Sequence, residues 1–99
     1  MSLRYSVERH YEAPLLYNVS CVDGALAWTT HDTFKQSSRY PGYYSIYDDD
    51  GALAVSGTFD FVSYWRATDV AVTPSGLPSS GTLTIENQFG SATSESFAC

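Results

Sequence analysis

Two cysteines, Cys21 and Cys99, set the strongest constraint on how this 99-residue chain can fold. They lack the Cys-x-x-Cys spacing of a metal site, and only His10 and His31 could add nitrogen ligands. We therefore expect no metal and no cofactor, but an intramolecular disulfide that holds Cys99 against an early strand. Because the closed loop would span most of the chain, this bond should stabilise the fold by about 4 kcal/mol.

Short segments in which apolar and polar residues alternate predict a mainly β protein. The only candidate helix covers residues 25–36 and is expected to run for one or two turns at most. Asp23-Gly24 predicts a tight turn, and Gly57 is expected to break or bulge its strand. Residues 90–96 are interpreted as a polar tail. Strands are expected over residues 3–7, 15–21, 52–55, 59–65, 69–73 and 82–86.

The length, the charge and the cysteines together limit the classes of function. The length predicts a single domain covering residues 1–99. The net charge of −6 repels phosphate backbones, so RNA contact would have to be local and centred on the bases. A disulfide and the Asn18-Val19-Ser20 glycosylation sequon are typical of secreted proteins. No signal peptide or membrane span is recognisable, so a mature secreted chain without membrane contact is expected.

Residues 39–51 hold four of the eight tyrosines and end in the run Asp48-Asp49-Asp50-Gly51. Pro41 favours an extended backbone at Tyr40, and the acidic run favours a turn. One interpretation is a loop whose rings and carboxylates bind a planar ligand with N–H donors, such as a purine. The alternative is an edge strand with aromatic packing and an acidic hairpin turn.

Asp60 lies between Phe59 and Phe61 in a strand-like run. Partial burial between these rings would make its carboxylate a usable general base. The alternative is a solvated carboxylate on the outer face of an amphipathic strand.

From Tyr40 onward the chain resembles the guanine-specific fungal ribonucleases, which carry the pattern Tyr-Pro-His-x-Tyr-x-x-Tyr-Glu. The matching run here is Tyr40-Pro41-Gly42-Tyr43-Tyr44-Ser45-Ile46-Tyr47-Asp48, and Phe59-Asp60-Phe61 corresponds to the strand that carries the general base. Residues 69–72 and 97–99 resemble the last two strands of the family. The resemblance implies an α+β, mainly β fold with an antiparallel sheet and a short or absent helix. It also implies ligand binding by Tyr40, Tyr44, Tyr47 and Asp48, with Asp60 as base and Arg66 as phosphate ligand.

The chain departs from this family where catalysis needs histidines and an arginine. Gly42 stands where the family has its first histidine, and Val70 stands where it has its arginine. The position of the second histidine falls near Glu86 or Asn87. Such a chain is similar to the catalytically inactive, ribonuclease-like secreted effectors of plant-infecting fungi, which are delivered to host cells. The resemblance implies a non-enzymatic protein that binds host RNA, a nucleotide or a host protein.

Three functions are therefore expected to compete. In the first, Tyr44 and Tyr47 stack a ligand, and changing both to Ala abolishes binding without unfolding the domain. The second is an active ribonuclease that uses Asp60, Arg66 and His31, which requires these three groups to lie together. The third is an all-β sandwich or barrel that binds carbohydrate. It would be favoured by the absence of the disulfide, or by Trp28 and Trp65 on one open face.

Overall fold

The computed structural model describes residues 12–33, 38–63 and 66–99. Within these ranges the chain contains no helix, and so none that could cross a membrane. The expected strand over residues 3–7 lies outside the described residues. The strands are β1 (Leu15–Val22), β2 (Ala25–His31), β3 (Tyr40–Asp48), β4 (Leu53–Phe61), β5 (Thr68–Val72), β6 (Ser80–Glu86) and β7 (Ala92–Ala98).

The strands form two antiparallel sheets that enclose one core between them. Sheet A has the strand order β1-β2-β5, and sheet B has the order β4-β3-β6-β7. Each sheet turns one face to the core and one to solvent, as antiparallel sheets commonly do. The protein is therefore all-β, in agreement with the alternative fold class. The core residues come from both sheets: Leu16, Leu26, Trp28, Ile46, Leu83, Ile85 and Phe97.

The prediction of a helix was wrong over residues 25–31, which form strand β2; residues 34–36 of the predicted helix lie outside the described residues. Leu26, Trp28 and Thr30 are buried in alternation with less buried neighbours, which is the two-residue period of a strand. The turn predicted at Asp23-Gly24 is confirmed. Both of its residues adopt positive φ, 53° and 78°, as a two-residue hairpin loop between twisted strands requires.

Two other local predictions failed because residues of low β-propensity were given too much weight. Gly57 does not interrupt its strand, since β4 runs continuously from Leu53 to Phe61. The polar segment 90–96 is largely strand β7, which pairs with β6 along its whole length. The Tyr-rich segment is also a strand, β3, and it occupies a central position in sheet B.

A chain of aromatic rings runs through the core between the sheets. Trp28 of sheet A contacts Tyr44 and Phe59 of sheet B, with ring centroids 5.6 and 5.9 Å away. Phe59 meets Phe61 edge-on at 4.9 Å, and Phe61 stacks on Tyr40 at 5.5 Å. Such pairs add to the stabilisation that comes from burying the rings. Three of these five residues, Tyr40, Tyr44 and Trp28, had been considered as ligand contacts, and their rings are instead part of the interior packing.

A disulfide joins the two sheets along one edge of the sandwich. Strand β1 of sheet A lies beside β7 of sheet B, and Cys21 is bonded to Cys99 there, with Cα atoms 4.7 Å apart. The predicted pairing is confirmed. The bond fixes the relative position of two edge strands that no backbone ladder connects.

Candidate functional site

The tyrosines of β3 are divided between its two faces. In the ladder with β6, Tyr44 pairs with Ile85, whereas Tyr43 pairs with Glu86 and Tyr47 with Thr82. Because successive side chains of a strand alternate, Tyr40 and Tyr44 face the core while Tyr43 and Tyr47 face solvent. A single planar ligand therefore cannot stack on both Tyr44 and Tyr47.

Tyr40 is a buried core residue with only 4% of its surface exposed. Its hydroxyl donates a hydrogen bond to Asp32, which is fully buried. Burial, followed by the charge and the hydrogen bond of Asp32, raises the pKa of Tyr40 well above its usual value. The ring and the hydroxyl of Tyr40 are thus both engaged inside the sandwich.

Tyr44 lies across the backbone of β4 and against Trp28. A Cβ atom added at Gly57 would approach the Tyr44 hydroxyl oxygen to 2.6 Å, so this ring occupies the space that Gly57 leaves open. Packing of an aromatic ring over a cross-strand glycine compensates for the missing side chain. The lack of a side chain at Gly57 is therefore what allows the Tyr44 ring to pack there.

Gly42 has a similar role in the same sheet. Its partner across the ladder is Phe59, and an added Cβ would lie 2.6 Å from Phe59 Cζ and 2.7 Å from Phe61 Cε2. A histidine at this position would have to enter the aromatic core. The packing around Gly42 therefore leaves no room for a histidine at this position.

Asp48 closes the hairpin between β3 and β4. Its Oδ1 accepts hydrogen bonds from the backbone N–H groups of Asp50 and Ala52, at 3.0 and 2.9 Å. Its carbonyl oxygen accepts from the N–H of Gly51. Asp and Asn commonly stabilise turns by such bonds, so at least one carboxylate oxygen of Asp48 has a structural role in this turn.

Asn87 does the same for the hairpin between β6 and β7, near the place where the second histidine was expected. Its Oδ1 accepts from the N–H groups of Phe89 and Ser91, and its Nδ2 donates to the Glu12 carbonyl at 3.2 Å. Asp48 pairs with Gly81, six residues before Asn87 in sequence, so the two turns lie about 20 Å apart along the strands.

The three groups considered for a rearranged ribonuclease do not come together. Asp60 is exposed on the outer face of sheet B, whereas its neighbours in sequence, Phe59 and Phe61, point to the inner face. His31 lies on the outer face of sheet A, where its Nε2 is 2.6 Å from the Tyr17 hydroxyl. Arg66 is exposed in the segment between β4 and β5. Asp60 and His31 thus occupy opposite faces of the sandwich, an arrangement that does not support one shared phosphate site.

The outer face of sheet B, called the tyrosine face from here on, is the most distinctive surface of the described residues. Tyr43 is 41% exposed there, and Tyr47 lies four residues further along the same strand. Hydroxyl side chains flank both rings, and one pair, Thr84 and Ser94, is bonded at 2.8 Å. The register places these hydroxyl residues on the face: Ser45, Ser56, Thr58, Thr82, Thr84, Ser94 and Ser96.

The charged side chains that the four strands of sheet B place on the tyrosine face are all negative. Strands β3, β4, β6 and β7 contain no lysine, arginine or histidine. Asp60 and Glu86 both project from this face, the second directly beside Tyr43. The described residues also hold no group of three or more His, Cys, Asp or Glu side chains that could bind a metal ion.

Tyr43 and Glu86 were not among the residues selected from the sequence. The sequence did contain the information, because residues separated by an even number of positions lie on the same face of a strand. Tyr43 and Tyr47 meet this condition, whereas Tyr44 and Tyr47 do not. Treating the segment as a loop hid that difference.

Comparison of the chain with protein-family profiles, curated proteins and solved structures finds no match. Any statement about function therefore depends on the geometry of the tyrosine face.

Proposed function

We propose that this protein is a non-enzymatic binding module that holds a neutral carbohydrate chain on the tyrosine face. The observation that carries the proposal is the pair Tyr43 and Tyr47, which share the exposed side of a central strand with hydroxyl neighbours on both sides. A four-residue separation in a strand is about 13 Å, which is longer than one sugar ring. The ligand is accordingly an oligosaccharide.

The tyrosine rings supply the apolar part of the recognition. The flat C–H face of a pyranose packs against an aromatic ring, and tyrosine adds a hydroxyl that can hydrogen-bond at the edge. Both rings are held by a sheet rather than a loop, so little side-chain entropy is lost on binding. Tyr43 has the larger contact area because it is 41% exposed.

The remaining side chains of the face match the hydroxyl groups of a sugar. Serine and threonine can donate and accept, and the carboxylates of Glu86 and Asp60 accept from sugar hydroxyls in charge-assisted bonds. The same carboxylates, without any cation on the four strands of sheet B, repel phosphate and sulfate groups. A neutral glycan is therefore favoured over RNA.

Two features expected to favour a carbohydrate module do not contribute to this proposal. The Cys21–Cys99 bond is present, and Trp28 is buried; Trp65 lies outside the described residues. Descent from the ribonuclease family and a role as a secreted effector stay predictions that the proposal does not require. Its support comes from the tyrosine face alone.

The test is a binding titration of the oxidised protein against neutral gluco-, manno- and chito-oligosaccharides, with guanosine monophosphate and short single-stranded RNA as competing ligand classes. We expect binding to at least one neutral oligosaccharide and a loss of affinity of tenfold or more in Tyr43→Ala and Tyr47→Ala. Tyr17→Ala is the matched control, because Tyr17 is 39% exposed but lies on sheet A. Binding of nucleotide but no sugar would overturn the proposal, as would a sugar affinity that falls equally in all three variants.

A further inference from the structure

The second feature that the fold presents to solvent is the sequence Asn18-Val19-Ser20, which lies at a bulge in strand β1. Tyr17 pairs with Thr29 and Ser20 pairs with Ala27, so Asn18 and Val19 together oppose the single residue Trp28. Asn18 adopts φ of 57°, a left-handed conformation that asparagine tolerates better than most residues. The extra residue changes which side chains of the strand face inward.

The bulge exposes both polar residues of the sequon. Asn18 and Ser20 are exposed, while Val19 packs against the core cluster. Leu16 is buried, and in a regular strand the residue two positions later would also face inward. The inserted residue thus turns Asn18 out to solvent and lets Val19 take the inward position. An Asn-x-Ser site whose asparagine and serine are both exposed on an edge strand is open to modification.

We propose that Asn18 is a site of N-linked glycosylation, added in the lumen of a eukaryotic secretory pathway. Cys21, three residues away, is part of a disulfide, a bond that forms in oxidising compartments of this kind. Its partner Cys99 lies 78 residues later, so the bond cannot restrain the sequon until the chain has been made through residue 99. The disulfide therefore does not hold the acceptor segment while the rest of the chain is being synthesised.

In the reaction, the Nδ2 atom of Asn18 forms a bond to the anomeric carbon of a lipid-linked oligosaccharide diphosphate. The bond between that carbon and the diphosphate oxygen breaks, and the lipid diphosphate leaves with the electron pair while Nδ2 loses one proton. No oxidation or reduction occurs. The donor is the only co-reactant.

The attached glycan would extend from the β1 edge of sheet A, on the opposite sheet from the tyrosine face. Glycosylation at Asn18 and ligand binding at Tyr43 and Tyr47 are therefore compatible, and each can fail without the other.

The test reads the modification directly on the complete chain, placed behind a cleavable secretion signal. The chain is translated in a lysate with microsomes from the endoplasmic reticulum and is also expressed in a eukaryotic secretory host. Intact mass is measured before and after treatment with peptide-N-glycosidase, which converts a glycosylated Asn18 to Asp. We expect one glycan, lost in Asn18→Gly and Ser20→Ala and kept in Ser20→Thr.

The variants separate the acceptor chemistry from the fold. Asn18→Gly removes the acceptor but keeps a residue that tolerates positive φ, and Ser20→Ala leaves Asn18 in place. An unmodified wild-type chain in microsomes that glycosylate a control protein would overturn the proposal. A glycan that persists in Asn18→Gly would also overturn it.

Discussion

The two faces of strand β3 use the same residue type in opposite ways. On the inner face, Tyr40 stacks on Phe61, and Tyr44 packs against Trp28 and over the backbone of Gly57. On the outer face, the ladder places Tyr43 and Tyr47 among hydroxyl groups and carboxylates. The role of each tyrosine therefore depends on which face of the strand its position occupies, and not on the composition of the segment.

This difference predicts that equal substitutions on the two faces have unequal effects, and the largest effect is expected at Gly42. Gly42→His introduces the histidine of the ribonuclease pattern into the space filled by Phe59 and Phe61. Overpacking and the burial of an unpaired imidazole should lower the free energy of unfolding by about 4 kcal/mol or more. Urea denaturation measures this loss. A stable Gly42→His variant would mean that the aromatic core is not packed as described.

The second comparison is Tyr44→Ala against Tyr47→Ala. Removing the Tyr44 ring leaves a cavity beside Trp28 and should cost about 3 kcal/mol, whereas the outward Tyr47 should cost less than about 1 kcal/mol. Thermal and urea unfolding of both variants provide the measurement. Equal losses would contradict the assignment of the two rings to opposite faces. A double variant of these residues is thus unsuitable as a binding test, because one change acts on stability.

The third prediction concerns the buried hydroxyl of Tyr40. Tyr40→Phe keeps the ring but removes the donor to Asp32, and should cost about 2 kcal/mol at neutral pH. The folded-state pKa is raised above the unfolded value of about 10. The contribution of Tyr40 is therefore fully present below about pH 10 and is lost as pH rises through the folded-state value.

The matching measurement is the free energy of unfolding of wild type and Tyr40→Phe between neutral and alkaline pH. The wild-type advantage should shrink above about pH 10, because the unfolded tyrosine ionises first. Tyr43→Phe is the control for loss of a tyrosine hydroxyl at an exposed position, and it should leave the free energy of unfolding at neutral pH nearly unchanged. A constant difference between wild type and Tyr40→Phe at all pH values would argue against a buried hydroxyl.

The smallest effect on the free energy of unfolding is expected at Asp48, the last residue of β3, where the chain enters the hairpin turn. Asp48→Ala removes the acceptor for two turn amides and should cost about 1 kcal/mol, while Asp48→Asn keeps an oxygen there and should cost less. Neither variant should alter ligand affinity at Tyr43 by a measurable factor. A large loss of binding in Asp48→Asn would instead place Asp48 in the recognition surface.

Several parts of the fold could be predicted from the sequence because their signals are local. Asp23-Gly24 specified its turn, and the alternation in residues 82–86 specified β6, since both depend on neighbouring residues only. The disulfide followed from the number and spacing of the cysteines. The ladder partners that decide which residues become core are distant in sequence and left no comparable signal.

The same limit explains why the surroundings of the candidate site residues could not be predicted. Gly57 was expected to break or bulge its strand, and Gly42 stands where the ribonuclease pattern has a histidine. Each of these glycines instead makes room for an aromatic ring from a neighbouring strand. Asp48 was expected to bind a ligand, and Asn87 lies near the place of the second ribonuclease histidine, but the side chains of both accept hydrogen bonds from the amides of hairpins. Only the pairing of β3 with β4 and β6 distinguishes these roles.

The bond between Cys21 and Cys99 also determines how the protein would respond to mechanical tension. A pull on the chain at positions before Cys21 and at Cys99 would pass through the covalent bridge and bypass β2–β7. The 78-residue separation between the cysteines corresponds to an extended length of roughly 270 Å, and tension could not extend this part of the chain while the bridge is intact. The first residues of β1 would peel away first, and the tyrosine face would keep its shape under load.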